Sequence, residues 1–399
     1  MRGRLVAILS VLPLAEALPA PADAAEPIRI GFFQLTLGGD VSGSLAGKDS
    51  VRFNETEYGR SLLRVLRLGL CGELKMGAHL AVLAETRSEN LEAPRLYALY
   101  LRARPWQNHA FDVQAGMVPP VFGAFVRRYG TDSALIGYPL AYHYPTLLRP
   151  DSFPRDVPNL LRWRGSGWRV RYPVGSHEYD HGLPLITALR WDTGIQARLV
   201  AGSWQLSGAV TQGTLSNPLV RDDNGSKQLS SRIAWRSSRG LEAGVSFARG
   251  GYVSQEIVDR LPAARGRDFR QQAVGLDFEQ DWGHWILRGE GMWSGWDAVA
   301  ATPPLLGTRL SAGAVTLEAR FRPWPGVTLA ARYDQLAFGD VLGPDGPASW
   351  DAPVSRLEVG AGYALRHNLT LKVSYQRNRR DGGSFQRGDF VAVQGSAWF

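Results

Sequence analysis

The chain has 399 residues, a formal net charge of +8 and one cysteine, Cys71. This length exceeds that of an ordinary soluble domain, yet the composition of the chain shows no break that would mark two domains. The lone cysteine excludes an internal disulfide. Nearly all of the basic residues are arginines, but no basic tract or nucleic-acid motif is present, so we expect acidic surfaces or anionic solutes rather than nucleic acid as partners.

Residues 1–24 have the features of a secretory signal peptide. Arg2 and Arg4 give a basic start, an apolar stretch follows, and a small-x-small cleavage site ends at Ala24. The apolar stretch is too short for a membrane-spanning helix. We therefore expect the chain to be exported, with residues 25–399 as the mature protein.

Sixteen segments with a period of two follow the signal peptide. In one of them Leu371 and Val373 face one way while Lys372 and Ser374 face the other. A strand with one apolar and one polar face fits a position between lipid and water, and no helical period competes. The predicted strands are 28–44, 60–74, 76–88, 95–104, 109–117, 185–200, 203–213, 228–238, 241–252, 269–281, 284–296, 311–322, 326–337, 354–366, 368–379 and 389–399.

The connections alternate between short turns and long loops, as in bacterial membrane barrels, whose short turns lie in the periplasm. Proline cannot donate to a sheet, and every proline after residue 24 lies in a connection or beside a strand boundary. A soluble sandwich or propeller would not order its connections in this way. The predicted fold is therefore all-β, a transmembrane antiparallel β-barrel of sixteen strands.

The tryptophans suggest aromatic girdles at the two membrane interfaces. Those near predicted periplasmic turns are Trp106, Trp204, Trp282, Trp285, Trp324 and Trp398. Those available for the outer girdle are Trp293, Trp296 and Trp350.

The last strand ends on Phe399, in register with Ala397, Gly395 and Val393 on its apolar face. A terminal aromatic on this face resembles the assembly signal of Gram-negative outer-membrane proteins. The resemblance implies a location in the outer membrane, in contact with its lipid, and the barrel-assembly machinery as a partner.

One connection, residues 118–184, is far longer than the others. The sequence entering it, AGMVPPVFG from Ala115 to Gly123, looks like the G-x-x-x-P-x-F-G stretch that enters the third loop of phosphate-selective porins of the O/P family. This resemblance implies a homotrimer, a lumen narrowed by the third loop, and arginines that guide small anionic solutes. It also implies a passive diffusion channel, which is not an enzyme and needs no cofactor.

Arginine presents a planar fork of donors to phosphate or carboxylate, and rings of basic residues make a pore prefer anions. The candidate constriction residues are Arg127, Arg128, Arg149, Arg162, Arg164 and, as a counter-charge, Asp151. The candidate pore-lining residues on the strands are Arg102, Arg190, Arg198, Arg320, Arg332 and Lys372. Carboxylates share these polar faces, so we expect much of the wall charge to pair across neighbouring strands.

The long loop contains no lysine, which departs from the lysine-rich sites of the phosphate-selective porins. A general anion preference and a solute-specific channel for sugars or carboxylates therefore both remain open. The loop tyrosines offer either a surface for sugars or packing against the wall. They are Tyr129, Tyr138, Tyr142 and Tyr144.

Residues His177 to His181 match H-E-x-x-H, which in zinc proteases places two histidines one turn apart on a helix. Pro173, Gly175 and Gly182 argue against a helix here, and no third ligand is evident, so we predict no metalloprotease site and leave incidental metal binding open. A barrel-borne hydrolase is the other enzyme class, and no Ser/His or Asp/His pair supports it.

Overall fold

The computed structural model describes residues 27–55, 60–106, 110–125, 134–188, 190–261, 267–383 and 386–399, so the predicted signal peptide lies outside the described residues. Sixteen long antiparallel strands form one sheet. They are β1 Phe33–Ala46, β2 Leu66–Met76, β3 Leu80–Glu89, β4 Arg95–Ala103, β5 Ala110–Val118, β6 Asp192–Ala201, β7 Trp204–Thr211, β8 Gln228–Arg236, β9 Leu241–Gly251, β10 Arg270–Trp282, β11 Trp285–Asp297, β12 Arg309–Phe321, β13 Val327–Phe338, β14 Val354–Arg366, β15 Leu369–Arg380 and β16 Arg387–Trp398. Each strand pairs with its neighbours in sequence, and β16 pairs with β1. The predicted sixteen-stranded barrel is confirmed, and none of these strands contains a proline.

The barrel closes along β1. The Phe399 N–H donates to the Gly39 carbonyl oxygen at 3.0 Å, and the Gly39 N–H donates to the Phe399 carbonyl oxygen at 3.1 Å. Beyond this pair a short strand, Ile28–Ile30, folds back on β1 through a turn in which Gly31 has φ +62°. The prediction of one strand over 28–44 is wrong in this respect, because the left-handed turn at Gly31 divides it into a hairpin.

Each barrel strand turns one face outward and the other into the lumen. On β15, Leu371 and Val373 are 49% and 43% exposed, whereas Lys372 between them is 5% exposed. The same alternation recurs around the ring and gives the barrel an apolar outer belt, the surface that contacts hydrocarbon in membrane barrels. Among the described residues, no helix is long and apolar enough to cross a bilayer.

The two ends of the barrel differ in their connections. At the end we call the short-turn end, adjacent strands are joined by turns such as 202–203 and 283–284; at the long-loop end they are joined by longer segments, of which 119–191 is the longest. The connection 90–94 is an exception, because it is short although it lies at the long-loop end. The predicted start of the sixth strand at 185 is wrong, because β6 begins at Asp192.

Most tryptophans near the short turns are exposed, as predicted for a girdle. Their exposed fractions are Trp106 56%, Trp204 52%, Trp282 73%, Trp285 43% and Trp324 69%. Trp293 is likewise exposed in the long-loop half. Trp296 and Trp350 are fully buried inside the barrel and Trp398 lines a lumen cavity, so their assignment to girdles is wrong.

The long-loop half of the barrel contains a packed apolar core. Its residues come from several loops as well as from the wall. Phe53 from the first loop packs against Tyr144 of the third loop, with ring centroids 5.4 Å apart, and Trp350 packs against Trp296 and Phe338. These contacts hold the loops inside the barrel as one unit.

Candidate functional site

The lumen wall is lined with arginines and carboxylates that pair with one another. On β13, Arg332 donates to Asp334 at 3.0 Å and to Glu358 of β14 at 2.7 Å. Further wall pairs are Arg67 with Glu89, Arg87 with Glu85, Arg102 with Glu73, Arg232 with Asp277, Arg288 with Glu279 and Arg320 with Glu318. The prediction that wall charges pair across neighbouring strands is confirmed for Arg67 with Glu89, Arg288 with Glu279 and Arg332 with Glu358. The pairs of Arg87 with Glu85 and of Arg320 with Glu318 lie within one strand.

The predicted pore-lining residues are distributed along this wall. Arg102, Arg198, Arg320, Arg332 and Lys372 lie on strands at positions whose neighbours point outward. Arg190 is exposed and lies just before β6, at the long-loop end. Since Arg102, Arg320 and Arg332 are engaged by carboxylates, their charge is largely compensated within the wall.

We define the third loop as residues 119–191; its described part enters the lumen and is hydrogen-bonded to the wall at β9 and β11. The Gly123 N–H donates to the Ser246 hydroxyl at 3.0 Å. Glu290 of β11 accepts from the Ala124 N–H at 3.2 Å and from the Tyr142 hydroxyl at 2.5 Å. Gly123 has φ +61°, and a Cβ there would lie 2.1 Å from a Glu290 carboxylate oxygen, so only glycine permits this approach.

A second set of bonds fixes the loop to β13 and β14. One oxygen of Glu358 accepts from the Ile136 N–H at 3.2 Å and from the Gly137 N–H at 3.0 Å. Arg332 donates to the Gly137 carbonyl oxygen at 2.8 Å, and Arg356 donates to the Tyr138 carbonyl oxygen at 3.0 Å. All of these loop partners are main-chain atoms, so the wall holds the loop by its backbone.

The described part of the first loop, residues 47–55 and 60–65, also folds inward, which the sequence did not predict. Arg356 donates to the Phe53 carbonyl oxygen at 2.9 Å, and Arg380 donates to the Val51 carbonyl oxygen at 2.9 Å. Nε2 of His143 in the third loop lies 2.8 Å from the same Phe53 oxygen. The apolar residues Val51, Phe53, Leu62 and Leu63 are the signal in the sequence for this burial, and they show no period.

Of the predicted constriction residues, Arg127 and Arg128 lie outside the described residues. Arg149 is buried and donates to Asp151 at 2.7 and 2.8 Å and to the carbonyl oxygens of Val170 and Glu178. Arg162 is exposed at the end of a short helix, Val157–Leu161, and Arg164 is half-buried nearby. The neighbour of Arg164, Gly165, packs against residues of the 339–353 connection, which places both arginines towards the long-loop end.

The structure also shows the surroundings of the loop tyrosines and of the H-E-x-x-H segment. Tyr138, Tyr142 and Tyr144 are at most 2% exposed, so they pack the loop and present no surface to solutes; Tyr129 lies outside the described residues. The segment from His177 to His181 forms no helix. The described part of the chain contains no group of three or more His, Cys, Asp or Glu side chains suited to a metal ion.

Asp351, in the connection 339–353, joins this connection to the third loop. It is 1% exposed, and one oxygen accepts from the Gly165 N–H at 2.9 Å and from the Ala352 N–H at 2.7 Å. Burial raises the pKa of Asp351 from its usual 3.8 to about 6, because the carboxylate loses its hydration.

The raised pKa of Asp351 predicts a stability that depends on pH. The folded state binds this proton more tightly than the unfolded state, so the contribution of Asp351 is fully present below about pH 4 and is lost as the pH rises through about 6. We expect the difference in unfolding temperature between pH 5 and pH 7 to shrink in Asp351→Asn. Scanning calorimetry in detergent measures it, and identical pH profiles for both proteins would contradict the assignment.

An open space remains in the lumen at the short-turn end. A cavity of about 460 Å³ is lined by His284, Arg322, His367 and Trp398, among others, and Ala134 of the third loop forms part of its boundary. The lumen is therefore open at this end as far as the loop.

Comparison with known proteins shows the fold. No protein-family model and no curated protein matches the sequence. Among solved structures, the anion-selective porin from Comamonas acidovorans is similar, with a TM-score of 0.55 at 12% identity, over 92% of this chain and 100% of that chain. OmpF of Salmonella typhi, solved with daunomycin, has a TM-score of 0.56 at 14% identity, over 94% and 100%. A trimer form of OmpT, an outer-membrane protein of Vibrio cholerae, has a TM-score of 0.53 at 10% identity, over 92% and 99%. The chain thus has the sixteen-stranded fold of outer-membrane porins.

Proposed function

We propose that the protein is an outer-membrane porin through which small hydrophilic solutes diffuse passively. The observation that carries this proposal is a long loop bonded by its backbone to the inner wall of a closed sixteen-stranded barrel, with a water-accessible cavity beside it. Such an arrangement narrows a channel without requiring a conformational step. The signal over residues 1–24 supports export, and Phe399 supports delivery by the barrel-assembly machinery.

The channel prefers anions in this proposal. The wall arginines are largely matched by carboxylates, so selectivity depends in this proposal on arginines of the third loop, Arg127 and Arg128 above all. The excess positive charge of the chain and the resemblance of residues 115–123 to phosphate-selective porins of the O/P family support this preference. A solute-specific channel for sugars or carboxylates is the second candidate, because the loop lacks lysine. No site in the described residues favours an enzyme.

The protein forms a homotrimer in this proposal. In strands β1 to β8, the outward positions of the long-loop half carry no aromatic residue, and Leu45, Leu68 and Leu99 are typical of them. Trp293 and Tyr375, on β11 and β15, lie at comparable outward positions elsewhere. A gap in the aromatic girdle is expected where a neighbouring barrel replaces lipid. OmpT, a barrel of this fold, has a trimer form.

Bilayer recordings test the channel and its charge preference. Wild-type protein should give steady conductance, and its reversal potential in a salt gradient should have the sign of an anion current. A charge about 8 Å from the ion path contributes about 0.5 to 2 kcal/mol, for effective dielectric constants of about 80 to about 20. Replacing Arg127 and Arg128 by alanine should therefore lower the anion preference at least about twofold.

Arg221→Ala is the matched control, because Arg221 is exposed in the connection 212–227. It should leave the reversal potential unchanged. A cation current in the wild type would overturn the anion preference, and absence of conductance would overturn the channel.

A further inference from the structure

Three arginines lie on the outward face of the barrel at the long-loop end. Arg377 and Arg379 are exposed outward positions of β15, and Arg387 is an exposed outward position of β16. An outward arginine on a membrane barrel is costly at mid-membrane and tolerated at the interface, where its charge reaches polar groups.

The pairing of these strands brings like charges together. Arg379 and Arg387 are direct cross-strand partners, whereas Arg377 is opposite Asp389. Like charges directly opposite each other destabilise a sheet. None of the three arginines makes an ion pair with a carboxylate of the described residues, and the cluster has three positive charges against the one of Asp389. A bound anion would remove the repulsion between Arg379 and Arg387.

The depth of the cluster matches the headgroup layer. Tyr375 is the last outward aromatic of β15, and the outward residues Val373 and Leu371 before it belong to the apolar belt. With about 3.3 Å per residue and a tilt of about 45°, Arg377 lies about 5 Å beyond Tyr375 and Arg379 about 9 Å beyond it. The headgroup layer on each side of a bilayer is about 5–8 Å thick, so Arg377 lies within it, whereas Arg379 lies at its outer edge and reaches it with its long side chain.

We propose that Arg377, Arg379 and Arg387 bind the phosphates of an anionic glycolipid in the outer leaflet, of the diphosphoryl lipid A type. Two phosphates on one headgroup suit two adjacent arginine forks, each of which can grip a phosphate with two parallel bonds. This inference rests on the proposed outer-membrane location. It adds a lipid site on the outer surface that is separate from the channel.

The test measures lipid binding by the full chain in detergent. Fluorescent diphosphoryl lipid A should bind the wild type more tightly than dephosphorylated lipid A or phosphatidylglycerol. The double variant R379Q/R387Q should bind it about tenfold to a hundredfold more weakly, because charge-assisted bonds are lost. Arg379→Lys keeps the charge without the fork and should give an intermediate loss.

The matched control is Arg239→Gln, because Arg239 is exposed in the turn 237–240 at the short-turn end; it should bind the lipid like the wild type. Unchanged binding by the double variant, equally tight binding of dephosphorylated lipid A or phosphatidylglycerol, or displacement by equimolar inorganic phosphate would each overturn the site. Because binding is measured without a bilayer, wild-type protein that binds the lipid but does not conduct would count against the channel alone.

Discussion

Replacing Glu358 by alanine is expected to detach the third loop from the wall at β14. The variant removes the acceptor for the Ile136 and Gly137 N–H groups and one carboxylate partner of the buried Arg332. Removing one member of a buried pair costs about 3–5 kcal/mol, since the other charge stays buried. We expect a larger and noisier single-channel conductance, with the barrel itself still folded.

Glu73→Ala is the matched control for Glu358→Ala. Glu73 pairs with Lys75 and Arg102 on the wall, so its loss should leave the loop attached and the conductance close to that of the wild type. If Glu358→Ala also keeps the wild-type conductance and noise, these bonds do not hold the loop in place.

Replacing Gly182 by alanine is expected to disrupt the internal packing of the third loop. A Cβ at Gly182 would lie 1.6 Å from the Thr146 carbonyl oxygen, a main-chain atom that cannot rotate away. The neighbouring bonds between Thr146 and Leu183 would break. Overpacking costs about 1–3 kcal/mol, so the opened loop should be about fivefold to a hundredfold more populated. Cleavage of the loop by a protease measures this population.

Gly43→Ala is the control for Gly182→Ala, because Gly43 is on the outward face of β1 with no atom within 4 Å of an added Cβ. Its protease sensitivity should equal that of the wild type. Equal cleavage rates for Gly182→Ala and the wild type would contradict the packing of the loop described above.

The strands could be predicted from the sequence because lipid and water impose opposite chemistry on alternate residues. The predicted segment 354–366 coincides with β14, and most other boundaries differ by few residues. The period ends where the chain enters the lumen, since a loop packed on all sides has no preferred face. The burial of Phe53 and Trp350 was therefore missed, whereas that of Trp296 follows from the period of β11, where it shares the inward face with Ser294.

The candidate site was predictable only in part. Pairing of wall charges follows from the register of neighbouring polar faces, so the pairs of Arg332 with Glu358 and of Arg288 with Glu279 could be expected. The contacts of Glu358 and Arg356 with the loop could not be predicted, because they involve main-chain atoms of a segment whose path has no local sequence signal.

The backbone attachment of the third loop has a consequence for how such a protein diversifies. Glu358, Arg332 and Arg356 recognise peptide groups, which every residue supplies, rather than particular side chains. Substitutions among the exposed side chains of the loop can therefore accumulate without weakening the hydrogen bonds that attach its backbone to the wall. One scaffold can thus acquire a different solute preference through a few exchanges in a single segment while its wall stays the same.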